Sequence, residues 1–131
     1  MDVRIGIDLV EIDRVEAALR RHPERFRARV FTAREVAECD RKAHPAQSYA
    51  GRFAAKEAIG KLLGTGVPFT WREIEIAGRG KPRVTLSGSM LRAADRQGIA
   101  RIDLSMTHSR TAAAAVAVAV SGAGPAPGPI V

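Results

Sequence analysis

The sequence is poor in the residues that define several classes of small protein. Cys39 is the only cysteine among 131 residues, which excludes an internal disulfide framework and a zinc site built from thiolates. Aromatic residues make up only 5%, so the core must be built mainly from Ala, Val, Ile and Leu. No apolar run is long enough to span a membrane, and the first residues lack the pattern of a signal peptide. We therefore expect a cytoplasmic location and no membrane partner.

What the sequence does contain suits one globular domain with a strong positive charge. Hydrophobic residues make up 46% and charged residues 27% of a chain long enough for a single core. The net charge is +7, and the stretch 14–34 alone holds seven arginines against two glutamates. Such a patch attracts a nucleic acid, an anionic membrane, an acidic protein or a phosphorylated small molecule, or is simply a solvated face. Charge alone does not distinguish these.

The hydrophobic pattern predicts an α+β domain, mainly an antiparallel sheet packed against a long central helix. The alternation of apolar residues over 3–9 predicts a buried strand. Capping-box signatures at Asp13 and Thr32 predict helices ending near Arg21 and Lys42. The other predicted elements are a helix over 48–63 with Gly64 as its C-cap, strands over 70–77, 83–86, 102–106 and 112–120, and a helix capped by Ser87 or Ser89 that ends at 97. We assign 1–121 to the domain, and expect the Gly/Ala/Pro-rich tail 122–131 to be disordered.

Three residues are the strongest candidates for chemistry. Asp8 lies near the C-terminal end of the first predicted strand, where a carboxylate can be fixed by the sheet and still reach a cleft. Glu57 and Lys61 lie one turn apart on the helix face opposite the apolar residues. Two carboxylates on rigid elements suit Mg²⁺, which completes its octahedron with water and substrate phosphate. The alternative is an ordinary surface pair, because Glu57 and Lys61 also have the (i, i+4) spacing of a helix ion pair.

His108 and two glycine-containing loops are weaker candidates. His108 follows a predicted strand and could act as a base or donate to a phosphate, because histidine titrates near neutral pH. The loops 64–66 (GTG) and 80–82 (GKP) could bind phosphate through backbone N–H groups and Lys81. A structural histidine, a helix C-cap and a tight turn are the alternative interpretations.

Taken together, these segments resemble the bacterial holo-[acyl-carrier-protein] synthases. Residues 5–12 (IGIDLVEI) are similar to the first signature of that family, and 51–61 (GRFAAKEAIGK) to the second. The resemblance continues through the loops 64–66 and 80–82 and through 105–109 (SMTHS), and covers the chain from about 3 to 120. It implies a Mg²⁺-dependent transferase, with Mn²⁺ as the alternative metal, that uses coenzyme A as substrate.

The resemblance also implies roles for individual residues and for partners. It implies that Asp8 and Glu57 bind the metal and act in catalysis with Lys61 and His108. It implies a homotrimer in which neighbouring subunits share each active site, and an acidic apo acyl carrier protein as the second substrate. The implied coenzyme A residues are Arg52, Lys61, Gly64, Thr65, Lys81, Pro82, His108 and Ser109, and the implied carrier-docking residues are Arg14, Arg21, Arg25, Phe26 and Arg29.

Two departures from the family pattern affect the substrate contacts. The segment 67–70 is shorter than we expect for the family, and Ala18 replaces a larger apolar residue on the first helix. The main rival function is a small basic nucleic-acid-binding module, which explains the charge but not the Asp8, Glu57 and Lys61 constellation. Few aromatic residues are present for stacking on bases, so we expect no nucleic-acid partner. A second rival, a relative that binds coenzyme A but has lost catalysis, is disfavoured by those same three residues.

Overall fold

The computed structural model describes residues 2–64 and 70–121. The described residues do not include 65–69 or the tail 122–131. The predicted coenzyme A residue Thr65 and most of the short segment 67–70 therefore lie outside them. The elements, in chain order, are β1 (Asp2–Glu11), α1 (Ile12–Arg21), α2 (Pro23–Val30), α3 (Ala33–Asp40), α4 (Pro45–Leu62), a 3₁₀ turn (Trp71–Glu73), β2 (Ile74–Ala77), β3 (Arg83–Leu86), α5 (Gly88–Arg96), β4 (Ile99–His108) and β5 (Ala112–Ser121).

A three-stranded antiparallel sheet packs against the long helix α4, which confirms the predicted α+β class. The strand order is β1-β5-β4, and β2 pairs with β3 in a separate antiparallel ribbon. On the helix side of β5, alternate alanines are fully or almost fully buried, and they meet buried alanines of α4. These small side chains allow the helix and the sheet to approach closely, so the core depends on Ala as the composition indicates.

The first strand is confirmed, but the prediction of its buried face is wrong. Val3, Ile5, Ile7 and Leu9 are 60–66% exposed. The buried side of β1 faces α4 at Gly6, where a Cβ atom would overlap the carbonyl oxygen of Ala58. The large side chains therefore lie on the opposite side. Val3, Ile5 and Ile7 pair with valines of β5, and Leu9 pairs with Ala114. The large apolar side chains on this side of the sheet form what we call the outer apolar face: Val3, Ile5, Ile7, Leu9, Val116, Val118 and Val120.

Helix ends follow the local sequence in some places and not in others. Thr32 and Glu35 form the predicted capping box. The predicted cap at Asp13 is wrong, because Glu11 occupies the N-cap position and Asp13 lies inside the first turn of α1. Two prolines, at 23 and 45, occupy the first position of helices, where a missing N–H costs nothing.

The cap of α5 comes from outside the helix. Ser87 occupies the N-cap position but makes no side-chain cap bond. Instead, the carboxylate of Glu73 accepts hydrogen bonds from the Ser89 hydroxyl and, at 3.1 Å, from the Met90 N–H. The α5 prediction was thus correct for the helix and wrong for the group that caps it.

A second apolar cluster joins the first three helices to the N-terminal half of α4. Phe31 and Tyr49 form its fully buried centre, with ring centroids 4.8 Å apart.

Within the ranges 2–64 and 70–121, no helix is both long enough and apolar enough to cross a bilayer.

Candidate active site

Asp8 and Glu57 line one cavity of about 440 Å³. Asp8 lies two residues after Gly6 on the helix-facing side of β1, and Glu57 precedes Ala58 on α4. The close approach of Gly6 to Ala58 therefore brings the two carboxylates to the same opening. We call this opening the Asp8–Glu57 cavity.

The carboxylates of Asp8 and Glu57 interact electrostatically with each other and with the amine of Lys61. Burial raises the pKa of Glu57, the negative charge of Asp8 raises it further, and Lys61 partly offsets both effects. The Lys61 Nζ donates to Asp8 Oδ1 at 3.0 Å and to the Ile7 carbonyl at 3.0 Å. A positive charge near Asp8 is therefore favourable in this structure.

This donor set fits a Mg²⁺ ion. The part of the chain that the structure describes contains no group of three or more His, Cys, Asp or Glu side chains that could hold a metal. Asp8 and Glu57 alone thus match a metal that accepts one or two carboxylates and takes its remaining ligands from water and phosphate. A site for zinc, which prefers three or four protein ligands, does not match this set.

Arg52 lines two further cavities of about 390 and 450 Å³, which we call the Arg52 cavities. His108 lines the first, and Lys81 and Pro82 line the second. Lys42, which the sequence analysis did not single out, lines both. As described, the Arg52 cavities have no lining residue in common with the Asp8–Glu57 cavity. Within one chain, the candidate residues that line these cavities therefore fall into two groups. Asp8 and Glu57 line one cavity, and Arg52, Lys81, Pro82 and His108 line the others.

Arg52 is held by three elements. Its Nε donates to the Ile76 carbonyl at 2.8 Å, and its two terminal nitrogens donate to Ser48 Oγ at 2.9 Å and Glu38 Oε2 at 3.0 Å. Only 7% of its side chain is exposed. Arg52 therefore presents a small, fixed part of its guanidinium to the cavities.

Two other predicted ligands have clear local roles. Ser109 Oγ accepts from the N–H groups of Thr111 and Ala112, which closes the turn between β4 and β5. Leu63 occupies the C-cap of α4, and Gly64, predicted as the C-cap, is the next residue, where a φ of +66° ends the helix.

Lys56, in the motif beside Glu57, is a buried structural cation. Its Nζ donates to Glu35 Oε1 at 2.8 Å, to the Trp71 carbonyl at 3.0 Å and to the Ile74 carbonyl. Both side chains of the Lys56–Glu35 pair are 0% exposed. Burial lowers the pKa of Lys56, and the charge of Glu35 opposes that effect. The pair joins α3 and α4 to the start of β2, so it fixes the helix that carries Glu57.

Most of the predicted docking residues lie on the surface of α1 and α2. Arg14 and Phe26 line the Asp8–Glu57 cavity, and Ala18 lines it as well. Arg14 and three other arginines are exposed: Arg21, Arg25 and Arg29. By contrast, Arg27 bonds Tyr49 and Asp40 and so fastens α2 to the domain.

Comparison with known proteins shows the family to which the chain belongs. A family model of the 4'-phosphopantetheinyl transferase superfamily matches residues 4–119, and the chain belongs to that superfamily. Within it, the chain is 41% identical over 113 residues to a holo-[acyl-carrier-protein] synthase of Solibacter usitatus, covering 83% of this chain and 90% of the relative. The predicted enzyme class, a phosphopantetheinyl transferase of the holo-[acyl-carrier-protein] synthase type, is thereby confirmed.

Solved structures of the same family share the fold. The synthase of Neisseria meningitidis superposes with a TM-score of 0.81 at 32% identity, covering 90% of this chain and 98% of the other. The Helicobacter pylori synthase, in a structure containing coenzyme A, gives a TM-score of 0.76 at 33% identity, covering 88% and 99%.

Proposed function

We propose that this protein transfers 4'-phosphopantetheine from coenzyme A to a serine of an apo acyl carrier protein and releases 3',5'-ADP. The observation that carries the proposal is that Asp8 and Glu57 line one cavity together with Arg14 and Phe26 of the basic helices. The cavity thus adjoins both a metal-binding pair and a surface for an acidic protein. The coenzyme A bound to the Helicobacter pylori relative supports the choice of donor.

In the proposed reaction, the serine oxygen attacks the phosphorus that bears the pantetheine arm. The bond from that phosphorus to the bridging oxygen of the pyrophosphate breaks, and 3',5'-ADP leaves. The serine proton passes to Glu57, directly or through a water. Glu57 lines the cavity beside Asp8, so its carboxylate is placed to accept this proton. His108 is the other candidate, but within one chain it lines a cavity separate from that of Glu57.

Asp8 and Glu57 would hold the Mg²⁺ ion, and Mn²⁺ has the same preference for oxygen ligands. When bound, the ion supplies positive charge that offsets the charge developing on the pyrophosphate. Lys61 adds a second positive charge beside Asp8. Positioning and electrostatics of this kind account for most of the catalysis of phosphoryl transfer.

We propose further that the active protein is a homotrimer with shared active sites. Five large apolar side chains of the outer apolar face are exposed beside one another, and an exposed apolar patch marks an interaction site. A neighbouring subunit packed against it can bring its Arg52 cavities next to the Asp8–Glu57 cavity. The separation of the two groups within one chain supports this arrangement.

The acidic carrier protein would bind to five residues of α1 and α2: Arg14, Arg21, Arg25, Phe26 and Arg29. Their positive charges steer an acidic partner towards the cavity where its serine reacts. Neither a nucleic acid nor a membrane is part of this proposal, and a cytoplasmic location remains an expectation from the sequence.

The test is the mass of an apo acyl carrier protein after incubation with this protein, coenzyme A and Mg²⁺. A gain of one phosphopantetheine, prevented by EDTA, is the expected result. If coenzyme A binds and no tested carrier gains mass, the chain is a binding relative without catalysis. If coenzyme A does not bind and nucleic acid binds in a salt-sensitive manner, the basic-module function is correct instead.

A further inference from the structure

Glu38, on α3, joins two parts of the Arg52 cavities. Both of its carboxylate oxygens accept from the Gly78 N–H at 3.0 Å, and Oε2 also accepts from the Arg52 guanidinium at 3.0 Å. Its side chain is 16% exposed. No sequence motif of the chain includes Glu38, so only its contacts in the folded structure select it.

Glu38 supplies the charged contact of Arg52. The other two acceptors of that guanidinium, the Ile76 carbonyl and the Ser48 hydroxyl, are neutral. A hydrogen bond between two charged groups is stronger than one with a neutral partner. Glu38 therefore contributes most to the direction in which Arg52 points.

Glu38 also holds one end of the turn that carries Lys81 and Pro82. Gly78 begins that turn with a φ of +116°. At the other end, Lys81 forms an ion pair with Asp103 of β4. The turn that lines the second Arg52 cavity is thus tied to α3 at one end and to the three-stranded sheet at the other.

The charge state of Glu38 suits both contacts. Burial raises its pKa, but the Gly78 N–H and the charges of Arg52 and Arg34 outweigh that effect, so the pKa is lowered. The carboxylate is ionised at neutral pH and accepts from all of these donors at once.

We infer that Glu38 is a positioning residue for coenzyme A: it sets the Arg52 guanidinium and the turn 78–82, and so controls coenzyme A affinity without taking part in phosphoryl transfer. This inference rests on the proposed function. It predicts that loss of Glu38 weakens coenzyme A binding and leaves carrier docking and the chemical step unchanged.

The test variant is Glu38→Gln, which keeps the shape and removes the charge and one acceptor oxygen. We expect the KM and the Kd for coenzyme A to rise about tenfold, which is the usual effect of losing a hydrogen bond to a charged group. The kcat and the carrier KM should stay at the wild-type values. A purely structural role would not separate the coenzyme A KM from kcat in this way.

The matched control is Arg34→Ala. Arg34 is the exposed partner of Glu38 at 3.3 Å, and its removal leaves the contacts to Arg52 and Gly78 in place. Its coenzyme A KM should remain at the wild-type value. If Glu38→Gln does not fold, Glu38→Asp is the second variant: it keeps the charge on a shorter side chain and should raise the coenzyme A KM above the wild-type value, by less than about tenfold.

A folded Glu38→Gln protein with the wild-type KM and Kd for coenzyme A would overturn the inference. A fall in kcat at unchanged coenzyme A KM would overturn it as well. Failure of the proposed function is distinguishable, because in that case the wild-type protein itself would modify no carrier.

Discussion

Gly6 of β1 and Ala58 of α4 lie so close that a Cβ atom on Gly6 would overlap the Ala58 carbonyl oxygen. The same Cβ would lie 2.9 Å from the Leu62 backbone nitrogen. Asp8 follows Gly6 by two residues, and Glu57 directly precedes Ala58. This contact has no chemistry of its own, but it sets the position of the strand carboxylate relative to the helix carboxylate.

The Gly6→Ala variant should lose stability and activity together. The added methyl group must push α4 away from β1, and overpacking of this kind costs about 1–3 kcal/mol. Denaturant unfolding should show the loss, and turnover should fall because Asp8 and Glu57 separate.

The stability control is Gly51→Ala on the same helix. There, a new Cβ would meet only Met106 Sδ, at 4.0 Å, and alanine favours the helix by up to about 1 kcal/mol. If Gly6→Ala proved as stable as Gly51→Ala, the close approach would not determine the site geometry.

Local signals in the sequence predicted most elements, and contacts distant in the chain explain where the predictions were wrong. The Thr32–Glu35 box depends on four consecutive residues, so the sequence shows it directly. The alternation in β1 predicts a strand but does not say which face is buried. That choice depends on how closely α4 approaches at Gly6, a contact about fifty residues away.

The cap of α5 gives a pH-dependent prediction. Ser89 and Met90 donate to Glu73, and the Ser89 hydroxyl, opposed by burial, is the largest cause of a lowered pKa for that carboxyl. A lowered pKa means that the folded state binds its proton less readily than the unfolded state. The stabilisation is therefore present above the ordinary pKa of 4.5 and is lost as the pH falls through the lowered value.

The Glu73→Gln variant should thus be about 1 kcal/mol less stable than wild type at pH 7, as expected for a helix cap. The difference in the free energy of unfolding should shrink as the pH falls below 4.5. Asp95→Asn, at an exposed position of α5, is the control and should stay close to wild type. A pH-independent difference for Glu73→Gln would contradict the assigned cap.

The proposed docking surface on α1 and α2 predicts that a charge reversal there changes the carrier KM and leaves the coenzyme A KM unchanged. Arg21→Glu reverses an exposed charge on α1 and should raise the carrier KM about tenfold at low salt, less at high salt. The coenzyme A KM should not change. Arg96→Glu makes the same charge change on α5 and should have little effect. Equal effects of the two variants on the carrier KM would place the docking surface elsewhere.

The proposed homotrimer can be tested at the outer apolar face. Ile5→Asp buries a charge in the proposed interface, so light scattering after size exclusion should show a trimer for wild type and smaller species for the variant. Leu91→Asp, at an apolar position on α5 that is 44% exposed, is the control and should remain trimeric. A monomeric and fully active wild-type protein would contradict the shared site.

The structure brings together only some of the candidate residues that were selected from the sequence. Motif spacing selected Asp8, Glu57 and Lys61, and the structure places Asp8 and Glu57 in one cavity with Lys61 bonded to Asp8. Arg52 was selected by resemblance and His108 by its place after a strand, and within one chain neither lines that cavity. A sequence pattern does not show which of these residues share a cavity in the folded chain. Lys42 and Glu38 belong to no sequence motif, so they can be selected only from their contacts in the folded structure.

The central claim is that Asp8 and Glu57 form a metal-dependent site for phosphopantetheine transfer. Asp8→Asn and Glu57→Gln should each keep the wild-type unfolding temperature, because neither side chain belongs to the apolar core. Each should lower turnover at least about 100-fold, because a bound cation supplies several kcal/mol of transition-state stabilisation.

The most direct measurement is the rate of mass gain of an apo acyl carrier protein, followed for wild type and both variants across a range of Mg²⁺ concentrations. The account predicts a metal-dependent gain of one phosphopantetheine for wild type, and almost none for either variant at any Mg²⁺ concentration. Wild-type rates in either variant, or a wild-type rate that does not depend on Mg²⁺, would contradict it.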